Sequence, residues 1–223
     1  MAGETNSGWL TRMALAAIAC GALALGACSA PVDEAEGQVS GDAITNVHPT
    51  PVKRQVIGNC WLYSITGWAE SLHKAATGAT LDLSESYLTY WYWFDQLAAP
   101  GRCGVSKIRE GGNWELGRSL VERYGMMLEG DFIREDRSAS ASTRQADVLQ
   151  DLNDALASED SPLQRAVASG DRARIRAELS RLWRLAPEVD ADLEAVFGAD
   201  ATRTFDRDSD RDSHVPAASK VLA

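Results

Sequence analysis

Between Asn59 and Gly78 the apolar residues Trp61, Ile65, Trp68 and Leu72 recur at three- and four-residue spacing, with Leu62 and Ala69 beside them. That is the period of an α-helix with one face turned to a core. Asn59 is a favoured N-cap type, and Gly78 is a favoured stop. The pattern predicts a buried helix beginning at Cys60. A helix start leaves backbone N–H groups without partners and gathers the positive end of the helix dipole. An anion such as a thiolate is favoured there, so Cys60 is a candidate nucleophile. A cysteine that merely fills space is the alternative, since free cysteines are often buried.

The residues around Cys60 favour the nucleophile. Pro51-Val52-Lys53-Arg54-Gln55 precedes Gly58-Asn59-Cys60-Trp61, and Leu83-Ser84-Glu85-Ser86-Tyr87-Leu88 follows. Downstream come Glu110-Gly111-Gly112-Asn113-Trp114 and then Leu120-Val121-Glu122-Arg123-Tyr124-Gly125. Four such motifs in order over about residues 50–135 resemble the papain-like cysteine peptidases, and most of all their bleomycin hydrolase and aminopeptidase branch. The resemblance implies that the Cys60 thiolate attacks the scissile carbonyl of a peptide or protein substrate. It implies that the Gln55 amide and the Cys60 backbone N–H hold the oxyanion, whose charge such fixed donors stabilise. Trp61 is then the aromatic residue that follows the nucleophile, and Gly111 and Gly112 let the substrate backbone approach closely. Gln55 stands one residue nearer the cysteine than in the family. A strict count lands on Arg54, whereas the Pro-Val-x-x-Gln context selects Gln55. The cysteine that usually precedes the family's nucleophile and forms a disulfide is missing.

A thiol peptidase also needs a base within hydrogen-bond reach. The chain has three histidines, His48, His73 and His214. His73 is thirteen residues along the Cys60 helix, about 20 Å away at the helical rise. His48 lies in the approach to the domain. His214 alone has the family's order, downstream of the nucleophile, but no Asn follows it and no alternating β pattern surrounds it. The expected fold is therefore mainly α, the helical left-hand half of a papain-like α+β fold. The β-rich second domain is expected to be missing, as in a truncated chain. The alternative class is a non-catalytic surface lipoprotein built on the same half-fold.

The remaining sequence divides readily. Residues 1–28 read as a signal peptide: Met13 to Leu25 is a short apolar run after Arg12, and Leu25-Gly26-Ala27-Cys28 resembles a bacterial lipobox with Cys28 as the lipidated residue. An ordinary signal peptide that happens to end near a cysteine is the alternative; either reading exports the protein, and the lipobox reading anchors it by lipid at Cys28, in the periplasm or at the outer membrane or cell surface. Residues 29–47 are acidic and polar, a flexible tether. Residues 48–137 form the papain-like helical domain, with an aromatic helix over 84–97 capped by Ser84 and another helix over 113–124. The aromatic run reads as core in preference to a substrate platform. Ser138 to Ser142 is a small-residue linker. The helical runs 143–157, 162–168, 171–185 and 188–197 make residues 138–200 a helical insertion or subdomain, and 201–223 are an irregular tail. The arginines between Arg172 and Arg184 read as a solvated face opposite Ile175, Leu179, Leu182 and Trp183. With a net charge of −10 the chain is no candidate for nucleic-acid binding. No zinc spacing or phosphate loop is present, so no metal or cofactor is expected. Of the four cysteines, Cys20 and Cys28 belong to the targeting segment, which leaves Cys103 as a free or structural thiol beside Cys60.

Overall fold

The computed structural model describes residues 48–99, 105–202 and 221–222. The segments read as a signal peptide with Cys28 and as a tether, together with Cys103 and His214, lie outside them. The described chain is mainly helical. No helix among these residues is long and apolar enough to cross a membrane.

Helix α1 spans Cys60–Thr77 and is closed by Gly78, whose left-handed φ of 74° lets its N–H reach the Lys74 carbonyl. Two features differ from the expectation. Asn59 does not cap α1. It is 1 % exposed, and its Nδ2 donates to Thr89 Oγ1 and Gln145 Oε1, both at 3.0 Å, because a buried amide is worth more as a tie between elements than at a helix end. Nor is α1 buried on all of its apolar residues: Trp68 is 54 % and Leu72 41 % exposed. They share an outward stripe with Cys60 and Ser64 at four-residue spacing.

Helix α2, Glu85–Ala98, is the centre of the core. Ser84 Oγ caps it by accepting from Tyr87 N. Tyr87, Tyr90, Trp91, Trp93 and Phe94 are buried, so the aromatics face packing partners all round the helix. Trp91 stacks on Tyr124 with ring centroids 4.1 Å apart, and Trp93 meets Trp183 at 5.3 Å. The aromatic run is core. Helix α3, Trp114–Tyr124, starts under an Asn113 cap and ends at Gly125, whose φ is 67°. A two-residue strand β1, Met126–Met127, pairs antiparallel with β2, Val221–Leu222, which lies in the tail read as irregular. A single turn, α4, Glu129–Phe132, and a 3-10 turn, Arg134–Asp136, follow β1.

The segment read as a small-residue linker is tied down. Ser140 O accepts from Arg54 N at 2.6 Å, and Asp136 Oδ1 accepts from the backbone and hydroxyl of Thr143. Helices α5 (Gln145–Ala157), α6 (Pro162–Ser169), α7 (Arg172–Leu182) and α8 (Pro187–Thr202) come next. Ile175, Leu179, Leu182 and Trp183 are buried as their spacing predicts, and they join the same core as α2. The arginine face is not wholly solvated. Arg176 is 7 % exposed and pairs with Asp190 and Glu194 of α8, because α8 packs over that side of α7.

Candidate active site

The site is assembled from the irregular segment before α1, the start of α1 and the loop before α3. Cys60 is the first residue of α1, and its side chain is exposed as a free thiol. Trp61 turns the other way, into the core, because successive helical residues point about 100° apart. Its indole Nε1 donates to the Glu110 carbonyl at 2.9 Å, and its ring meets Tyr92 edge-on at 5.0 Å. Tyr92 OH in turn donates to Gly111 O at 2.6 Å. The Glu110 carboxylate accepts from the backbone N–H of Gly58, two residues before the cysteine. Two motifs fifty residues apart thus meet beside the thiol.

The two glycines have different surroundings. A Cβ on Gly112 would stand 2.4 Å from the Trp61 ring, so the indole itself demands a glycine there. A Cβ on Gly111 would meet nothing within 4 Å, so that position faces open space. A pocket of about 250 Å³ adjoins Gly111 and is lined by Tyr92, Asp95, Gln96, Ala99, Arg109 and Leu116. Its carboxylate, Asp95, accepts from Arg123 and from Tyr124 OH, each at 2.6 Å. Burial raises the Asp95 pKa despite both donors.

Gln55 is exposed, and its Nε2 donates to Ile57 O at 2.9 Å. The amide proposed for the oxyanion is therefore held by its own loop. His48 is exposed, and His73 sits far along α1; among the described residues no imidazole hydrogen-bonds the thiol.

Sequence reading missed a cluster next to the site. Lys53 Nζ donates to Leu83 O at 2.7 Å and Glu85 Oε2 at 3.0 Å, and stands 2.8 Å from Asp82, 3.2 Å from Glu129 and 4.0 Å from Glu70. Glu70, Glu85 and Glu129 are buried. The visible signal is Glu70, eight residues after Leu62 on the core-facing side of α1, where an unpaired carboxylate is costly. Among the described residues, no group of three or more acidic, His or Cys side chains is arranged to hold a metal ion. In this cluster the ammonium occupies the centre.

Compared with protein-family models, curated proteins and solved structures, the chain matches none.

Proposed function

We propose that this chain is the nucleophile-bearing half of a papain-like cysteine peptidase, completed by a β-rich half that brings the imidazole. The observation that carries this reading is the docking of Glu110-Gly111-Gly112 on Trp61 and Gly58, with Cys60 exposed between them. Such a loop gives an extended peptide a backbone edge beside the thiol. The uncharged outward stripe of α1 supports the same reading. It runs from Cys60 through Ser64 and Trp68 to Leu72, and Trp68 packs edge-on against the half-exposed Trp114 at 5.2 Å. Contiguous exposed apolar surface is where a partner or ligand docks.

The chemistry would run as follows. Cys60 Sγ, deprotonated by the incoming imidazole, forms a bond to the substrate carbonyl carbon, and the carbonyl electrons move onto oxygen. The Cys60 N–H receives that oxyanion. Gln55 Nε2 joins once it leaves Ile57 O, since catalytic hydrogen bonds often tighten only in the complex. The oxyanion collapses, the C–N bond breaks, and the imidazolium protonates the leaving amine. Water then hydrolyses the thioester. Under the same reading the protein is exported and held to a membrane by lipid on Cys28.

The test uses the purified full chain with a thiol alkylator and a peptide substrate, alongside Cys60→Ala and His214→Ala. Labelling of Cys60 ahead of Cys103 with little hydrolysis is the expected result, because loss of a triad partner costs several orders of magnitude in rate. Robust hydrolysis abolished by either substitution would make His214 the base and overturn the half-enzyme reading. Sluggish labelling of Cys60 would favour a non-catalytic lipoprotein.

A further inference from the structure

Lys53 lies two residues before Gln55, and its ammonium gathers groups from α1, α2, α4 and the turn before α2. Glu70 comes from α1, Asp82 and the Leu83 carbonyl from the turn before α2, Glu85 from α2 and Glu129 from α4. The carboxylates are fixed from behind. Thr66 Oγ1 donates to Glu85 Oε1 at 2.7 Å, Ser84 Oγ to Glu129 Oε1 at 3.0 Å, and Thr50 Oγ1 and Leu83 N to Glu70 at 2.6 and 2.7 Å. Tyr63 of α1 stands within the same field. The segment beyond Lys53 is tied again at Arg54 N, which donates to Ser140 O at 2.6 Å, and at Gly58 N, which donates to Glu110. Little slack remains between the ammonium and Cys60.

We propose that Lys53 is a positioning residue: with Glu70, Asp82, Glu85 and Glu129 it forms a proton-dependent clamp that fixes the Gln55 segment against the start of α1. The contacts of Lys53 define the clamp; what it does for catalysis rests on the peptidase reading of Gln55.

Three buried carboxylates and the half-exposed Asp82 against one ammonium leave excess negative charge where solvation is poor for all but Asp82, which favours holding protons. Burial first, and then the charge of Glu85, push the Glu129 carboxyl up to about 8. Burial likewise raises Glu70. Burial opposes the Lys53 charge, but Glu85 and Glu129 outweigh it and raise its pKa. The folded chain thus holds a proton on Glu129 that the unfolded chain, titrating near 4.5, releases. The stability contributed is full below about 4.5 and is lost as pH rises through about 8. Glu70 and Lys53 shift in the same direction, so every resolved carboxylate and ammonium shift makes the clamp tighter in mild acid and looser in alkali.

Native-state hydrogen exchange on the full chain, corrected for intrinsic rate and followed across the range from mild acid to alkali, tests this. The Arg54 and Gly58 amides report the clamp, and the Leu152 amide, in the buried middle of α5, reports the fold. In the wild type, protection at Arg54 relative to Leu152 should fall as pH rises from about 4.5 to about 8 and level off above it. Glu129→Gln, a neutral isostere that keeps a carbonyl for Lys53 and turns the Ser84 hydroxyl from donor to acceptor, should flatten that dependence. Lys53→Met should speed Arg54 and Gly58 exchange by about tenfold or more in mild acid, because it leaves buried carboxylates unpaired. Where Lys53→Met does not fold, the pH comparison with Glu129→Gln decides. Arg54 protection that tracks Leu152 at every pH, or a pH dependence unchanged in Glu129→Gln, would overturn the clamp. These amides report no catalysis, so a failed peptidase assay and a failed clamp are separate results.

Discussion

Replacing Gly112 by alanine tests the packing on which the site depends. The added Cβ would lie 2.4, 2.5 and 2.8 Å from three atoms of the Trp61 ring, where ordinary contact begins near 3.4 Å. The ring must retreat or the loop must lift by about 1 Å. The ring cannot retreat freely, because its far side meets Tyr92 and its Nε1 is bonded to Glu110 O. Overpacking of this kind costs about 1–3 kcal/mol. If the loop lifts, the indole hydrogen bond is lost as well, worth about 0.5–1.5 kcal/mol. The prediction for Gly112→Ala is therefore a destabilisation of about 1–3 kcal/mol if the ring retreats and about 1.5–4.5 kcal/mol if the loop lifts. Gly111→Ala is the control. Its Cβ meets nothing and its φ is not left-handed, so it should stay within about 0.5 kcal/mol of the wild type. Urea unfolding followed by tryptophan fluorescence measures both. Equal effects from the two substitutions, or none from Gly112→Ala, would refute the claim that Trp61 selects the glycine.

Arg176→Met should cost little by itself in packing, but it strands Asp190 and Glu194 on a like-charged face; a loss of about 1 kcal/mol that shrinks in high salt is expected from thermal melts, since both acids are well exposed. Ser84→Ala removes both the α2 cap and a donor to Glu129, so urea unfolding should show a loss of about 1–2 kcal/mol. Cys28→Ala should abolish metabolic labelling with palmitate; unchanged labelling would remove the lipid anchor from the account.

Helix positions were legible because they depend on short-range signals. The 3.6-residue spacing of Trp61, Ile65, Trp68 and Leu72, the Ser84 cap and the stops at Gly78 and Gly125 all lie within one turn of what they specify. Cys60 at a helix start was legible for the same reason. Partners across the fold were not. Periodicity marks Glu70 as facing the core but does not say that Lys53 will meet it there. It marks Asn59 as a cap type, yet Gln145, eighty-six residues on, outbids the helix end for its amide. The role of Gly112 was read as room for substrate, and the nearest atoms prove to belong to Trp61. Arg176 looked solvated until α8 was laid over it. Each case is a buried polar or steric need met by a residue distant in sequence.

On the peptidase reading Cys60 is a nucleophile, and among the described residues no imidazole reaches it, so a base supplied from outside puts that reading to the test. The full chain and Cys60→Ala are incubated with an activated peptide ester, with and without added imidazole, and the acyl adduct is located by mass spectrometry. The account predicts an adduct on Cys60 whose formation rises with imidazole, falls when Gln55 is replaced by alanine, and is absent in Cys60→Ala. An adduct rate at Cys60 that equals that of a free cysteine peptide, with no response to imidazole or to Gln55→Ala, would contradict it.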